Sequence, residues 1–170
     1  MELHDYSCLA LPGLLQTEVH ARAVFSAGQP LLDEETVEQR VAARLDRQRL
    51  LERWPAPFVT LTIEESVLRR PLGGWDKQLE ALLGFSHLRN VALQVLSMDR
   101  TEHPGLGGPF IMLTPKGRQQ LAYLEVHHVS RLITDPDEVR ILAARYGSLR
   151  ARALTLGESG ALIDTMLGER

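Results

Sequence analysis

The chain reads as an α+β fold: a single domain in which a small mixed β-sheet of about five strands carries N-terminal and C-terminal helices, packed mainly on one face. Three observations predict it. The middle of the chain runs strand, helix, strand, with period-two alternation followed by an apolar stripe of helical spacing and a second apolar run. Three further short strand patterns follow, separated by turn signals. Both ends of the chain instead carry helical periodicity and capping residues.

At the N-terminus, Pro12 and Gly13 break an extended segment, and an amphipathic run follows to about Ala27. A second helix opens at Asp33-Glu34-Glu35, whose carboxylates suit the positive end of a helix dipole. Val37, Val41 and Leu45 then recur at four-residue spacing, and the helix is expected to reach Arg53, before Pro55 and Pro57. Arg40, Arg44 and Arg47 share one face of it. They read either as a phosphate-binding stripe or, more simply, as a solvated face on which they pair with Glu38 and Asp46.

Phe58 to Glu64 alternates, with Val59, Leu61 and Ile63 on one side and Thr60, Thr62 and Glu64 on the other, as in a strand covered on one face. Trp75 to Leu88 is a helix with Leu79, Leu82 and Leu83 on its inner stripe, and Val91 to Leu96 is the next strand. A strand, helix, strand unit normally makes a parallel crossover. Phe110 to Thr114, Gln120 to His127 and Val129 to Thr134 are short strands. Pro115-Lys116-Gly117 and the corner from His127 to Ser130 separate them, which predicts antiparallel hairpins. Asp135-Pro136-Asp137-Glu138 supplies an N-cap, a proline at the first helical position and an early glutamate, and Val139, Leu142, Ala143, Tyr146 and Leu149 follow on one face. Thr155-Leu156-Gly157-Glu158 repeats the capping spacing ahead of Leu162, Ile163, Met166 and Leu167.

Composition narrows the function classes. With 170 residues, 44% of them hydrophobic, the chain can bury a core of its own, and it shows no repeat, linker or low-complexity tract. A formal net charge of -3 argues against a broad nucleic-acid-binding surface. No apolar run approaches the roughly 18 residues that span a bilayer, and no signal peptide opens the chain, so a cytoplasmic protein is expected. The lone Cys8 has no internal disulfide partner and reads as a small packed side chain. Phosphate-cradling glycine loops, paired Cys-x-x-Cys, His-Glu-x-x-His and Gly-x-Ser-x-Gly are all missing.

Five segments in fixed order carry a resemblance. They are Ala10-Leu11-Pro12-Gly13-Leu14-Leu15-Gln16-Thr17 with His20-Ala21-Arg22-Ala23, then Glu38 to Gln48, then Glu65-Ser66-Val67-Leu68-Arg69-Arg70, then His103 to Phe110, and Tyr123-Leu124-Glu125. Together they resemble DUF5753, and the resemblance covers nearly the whole of residues 1–170. It implies the C-terminal domain of Xre-type helix-turn-helix regulators found in Streptomyces and related actinobacteria. The helix-turn-helix itself is expected to be absent, because Met1 lies only about ten residues before the first motif. Two features depart from the family pattern. Ser97-Met98-Asp99 stands where a proline is expected, and the interval from Gly73-Gly74 to Gln78-Leu79 is short.

Within these motifs Glu65 ends the first strand of the middle unit, His103 sits in a glycine-rich loop, and Glu125 lies on a later strand. Strand alternation puts Tyr123, Glu125 and His127 on one face. The expected ligand-binding set is therefore Glu65, Arg69, His103, Tyr123, Glu125 and His127, lining a concave site that is part apolar and part charged. The plainer alternative pairs Glu125 with Arg69 or Arg131 and packs Tyr123 under a helix. Adjacent His127 and His128 would point to opposite faces of an extended segment, so with His103 they make no metal site, and no cofactor is expected.

Three readings follow. The first is a sensory or effector domain related to transcriptional regulators, binding a small molecule or a small partner protein, for which the resemblance suggests DUF397. It would bind no nucleic acid itself. The second is a stand-alone enzyme of actinobacterial specialised metabolism, with Glu65, His103 and Glu125 as acid, base or orienting groups. The third is a dimerisation domain, forming a homodimer.

Overall fold

The computed structural model describes residues 1–127 and 129–169. Its elements are β1 (Glu2–Ser7), α1 (Glu18–Ser26), α2 (Glu34–Gln48), β2 (Phe58–Glu64), α3 (Glu65–Leu68), α4 (Trp75–Ser86), β3 (Val91–Leu96), β4 (Phe110–Thr114), β5 (Leu121–Val126), β6 (Val129–Ile133), α5 (Pro136–Arg152) and α6 (Leu156–Gly168). Short 3₁₀ turns occupy Gly13–Leu15, Arg49–Leu51 and Pro104–Gly107. The architecture is α+β, as the sequence predicts.

The sheet has six strands rather than about five, in the order β3-β2-β1-β4-β5-β6. The additional strand is β1, and it lies inside the sheet. Leu3 stands opposite Val59 in the parallel ladder with β2 and opposite Leu113 in the antiparallel ladder with β4. Its sequence, with Glu2, His4, Asp5 and Ser7 among six residues, lacks the apolar run of an interior strand. Ladders on both edges fix it instead, and His4 Nδ1 meets Thr60 Oγ1 at 2.5 Å across the β1–β2 pair. The strand, helix, strand unit is confirmed, with β2 and β3 parallel across α4. The later strands form the expected antiparallel hairpins.

Helices cover both faces of this sheet. On one, Val59, Leu61, Ile63, Val91, Leu93 and Val95 pack with Leu79 and Leu82 of α4 and Ile163 and Met166 of α6. On the other, Tyr6, Leu96, Phe110, Met112 and Ala122 pack against Val139, Leu142, Tyr146 and Leu149 of α5. Strand β2 is therefore covered on both sides rather than one. Thr60 and Thr62 are only 1% and 0% exposed. The Tyr146 hydroxyl meets this polar side of the strand at Thr60, donating to its carbonyl at 2.9 Å, while the buried Thr62 hydroxyl has no hydrogen-bond partner among the described residues.

The N-terminal helical run is interrupted where the sequence shows no break. After the 3₁₀ turn Gly13–Leu15, Gln16 is extended, and Thr17 caps α1 by accepting from the His20 N–H. Two buried glutamines hold this break. Gln16 donates to the Leu11 carbonyl, while Gln78 of α4 donates to the Leu15 carbonyl and accepts from the Thr17 N–H. Likewise α2 stops at Gln48, and the chain continues as the Arg49–Leu51 turn.

Both C-terminal caps form as expected. Asp135 accepts from the N–H groups of Asp137 and Glu138, and Thr155 and Glu158 make a reciprocal capping box. The junction between α5 and α6 also covers the β3 edge. Leu154 N–H donates to the Val95 carbonyl, and Val95 N–H donates to Ser159 Oγ. Among the described residues no helix is long and apolar enough to cross a membrane.

Candidate functional site

A cleft of about 720 Å³ lies between α2 and the open part of the sheet. Its floor is built by alternation. Leu3 and Asp5 of β1, Ile111 of β4, and Tyr123 and Glu125 of β5 point to the same side, since Asp5 pairs with Ile111 and Ile111 with Tyr123 across the ladders. Arg44, Asp46, Arg47 and Leu50 form the α2 wall, continued by Arg53 after the turn. A recess of about 270 Å³ shares the Asp5, Ile111, Tyr123 and Glu125 floor and runs on to Ser7, Pro12 and Pro109.

Asp5 is the unusual residue of this floor. It is only 7% exposed, and among the described residues its side chain has one hydrogen bond, accepted from Ser7 Oγ at 2.7 Å. Burial pushes its carboxyl up to about 6, against the pull of Ser7. Asp5 is not among the residues expected from the sequence, because β1 is not among the expected strands. The available signal was the spacing Leu3, Asp5, Ser7, which places a carboxylate on the face of a strand shared with an apolar residue.

The arginines do not pair as the simpler sequence reading expects. Glu38 bonds to Arg22 of α1, and Asp46 pairs with Arg49. Arg44 donates to Gln16 Oε1 at 2.6 Å, and its guanidinium lies 4.3 Å from the Phe25 ring centre. Burial and neighbouring Arg47 pull the Arg44 guanidinium down, while Glu125 works the other way. Among the described residues the Arg47 side chain bonds only to the Ala43 carbonyl of its own helix, at 3.3 Å, and Arg53 has neither side-chain hydrogen bond nor ion pair.

The expected site residues separate into two groups. Tyr123 and Glu125 line the cleft, and Glu125 pairs with neither Arg69 nor Arg131, which bond to Glu65 and Glu138 instead. His127 lies beyond the end of β5 in an exposed turn, so strand alternation does not carry it onto that face. His128 lies outside the described residues.

Glu65, Arg69 and His103 do not line the cleft; they stand where the parallel strands β1, β2 and β3 end. Glu65 Oε1 accepts from Arg69 at 2.7 Å, and Oε2 accepts from Ser97 Oγ and from the Met98 N–H, both at 3.0 Å. Burial works to raise this carboxyl, but the bonds from Met98, Arg69 and Ser97 outweigh it and hold it below the usual carboxylate range. Glu65 thus ties the end of β2 to the loop after β3, and Ser97-Met98 supplies two of its donors. The His103 ring accepts the Gly105 N–H through Nδ1, and its Nε2 is 3.5 Å from Glu64 Oε1, the atom to which the Tyr6 hydroxyl donates. Among the described residues no group of three His, Cys, Asp or Glu side chains is placed to hold a metal ion.

The chain matches the family described as Domain of unknown function (DUF5753) over residues 1–165. It belongs to DUF5753. Comparison with curated proteins and with solved structures gives no significant match. The cleft and the Glu65 cluster are accordingly features of a DUF5753 domain read from its own geometry. Several of the segments that mark the family resemblance have structural work here: Gln16 and Arg44 hold the first motif against α2, and Glu65 with Arg69 closes the third.

Proposed function

We propose that this DUF5753 domain is a ligand-binding module, taking a small molecule in the cleft between α2 and the sheet, as the sensory or effector part of a cytoplasmic transcriptional regulator. The observation that carries the reading is Asp5: a carboxylate buried with one hydrogen bond on the floor of an open cleft is held there at a cost to stability that folding alone does not require. The cleft volume falls within the range of small-molecule sites, and its lining mixes apolar side chains with a few charged ones. Recognition is favoured over turnover because the acid, base and orienting groups of the enzymatic reading are dispersed. Glu65 has both oxygens committed to structural donors, and neither it nor His103 lines the cleft that holds Glu125.

Native mass spectrometry of the purified chain, alongside an Ile111→Trp variant that fills the cleft floor, tests the reading. The wild type is expected to retain or take up a small molecule at one-to-one stoichiometry, and the variant to lose it while staying folded. A small molecule held equally well by both proteins would place binding elsewhere and sink the proposal.

A further inference from the structure

Apart from Asp46 on the α2 wall, which pairs with Arg49, the charges of the cleft are arranged in two groups. On the α2 side stand Arg47 and Arg53, neither of which is neutralised by an ion pair among the described residues. On the floor stand Asp5 and Glu125, which likewise lack an ion pair there. Arg44 is a different case, since Gln16 and the Phe25 ring hold it in place. Leu50 and Tyr123 supply apolar surface in the same cleft.

A simple anion would answer Arg47 and Arg53 and leave the floor carboxylates facing it. A simple cation would do the reverse, so either ligand leaves one set of charges desolvated without a partner. A molecule with an ammonium group and a carboxylate, joined by a body that covers Leu50 and Tyr123, satisfies both sets. The volume sets the size: about 720 Å³ exceeds the needs of a free amino acid and lies in the range that encloses drug-sized molecules.

Resting on the binding role proposed above, we infer that the cleft takes an amphoteric, peptide-sized ligand, with its amine directed at Asp5 and Glu125 and its carboxylate at Arg47 and Arg53. Charge-assisted contacts at both ends give such a ligand its orientation as well as its selection against singly charged molecules.

The test is saturation-transfer NMR on the full chain with three probes: an equimolar tripeptide library with free termini, the same library N-acetylated, and the same library C-amidated. Binding is expected from the free library, at least tenfold weaker from either blocked one, and lost in Ile111→Trp. Asp5→Asn should abolish the preference for the free amine alone, and a paired Arg47→Gln, Arg53→Gln variant the preference for the free carboxylate alone. Equal binding of blocked and free libraries overturns the inference. So does silence from all three libraries, and native mass spectrometry then separates the two ideas: a different small molecule lost on Ile111→Trp keeps the cleft as a site, whereas none sinks both.

Discussion

Asp5 and Glu65 are both buried carboxylates, yet they pull stability in opposite directions with pH. Folded Asp5 keeps its proton up to about pH 6, whereas the unfolded chain releases it near the ordinary aspartate value of 3.8, so the native state binds more protons between these limits. Stability therefore falls as pH rises through that window, by up to about 3 kcal/mol. Asp5→Asn is expected to raise the urea midpoint at pH 7.5, with the gain shrinking to nothing below pH 4. The groups that line the cleft with Asp5 are Arg44, Asp46, Arg47 and Arg53 on the opposite wall and Tyr123 and Glu125 on the same floor, with Ser7 beside it on β1, and of these only Ser7 bonds to it. Glu65 has its carboxyl held low, so its contribution is present above the unfolded carboxylate range and is lost as pH falls through the folded value. Glu65→Gln disturbs bonds from Arg69, Ser97 and Met98, and should cost roughly 1–3 kcal/mol at pH 7. Urea titrations of wild type and variant at pH 7 and at pH 4 check both the sign and the window: the gap between them should narrow in acid. A gap that widens would mean the carboxylate form is not the one these donors hold.

The loop carrying His103 acts as an element through its glycines. A Cβ at position 105 would fall inside the contact radius of the Tyr6 hydroxyl and its ring, so only glycine lets the 3₁₀ turn Pro104–Gly107 lie against β1. Tyr6 is also the donor to Glu64 and packs 5.8 Å from the Phe110 ring, so any displacement is felt across β1, β2 and β4. Gly105→Ala is expected to cost roughly 1–3 kcal/mol, read as a lower melting temperature with the strand signal in circular dichroism retained. Gly73 has a similar role between α1 and α4. Its φ is +37°, and a Cβ there would stand 2.6 Å from the Ala23 side chain, so both the backbone and the space exclude larger residues. These two close approaches account for glycines that sequence alone marks only as loop formers.

At the scale of the whole molecule, the cleft exists because helix coverage of the sheet is uneven. The β2–β3 side is closed by α4 and α6, and the opposite face by α5. Across β1, β4 and β5 the remaining face has only α2 near it, and the gap between α2 and those strands is the cleft. Arg44 and Arg47 of α2 line this gap on the side opposite the floor that carries Asp5 and Glu125. A binding event there would bear on α2, on the α1 contacts that include Arg22 to Glu38, and on the Gln16 bond to Arg44. Binding-induced protection from hydrogen exchange should therefore be concentrated in α2 and the 13–17 segment, and protection confined to α5 or α6 would contradict this route.

Local chemistry was enough to write the α+β class, the parallel β2–α4–β3 unit, the two C-terminal hairpins and both helix caps, because each rests on periodicity or on a cap a few residues long. It was also enough to put Tyr123 and Glu125 together on one face of a strand. What it left open depends on partners distant in the chain. Strand β1 is half polar and is made a strand by ladders to residues more than fifty positions away, so neither its place inside the sheet nor Asp5 on the cleft floor shows in its own pattern. Glu65, His103 and Glu125 all lie in family-like motifs, yet sequence proximity to a motif carries no information on which side of a sheet a residue falls. That assignment belongs to tertiary packing, in which ladders and the helices laid on them decide what each side chain faces.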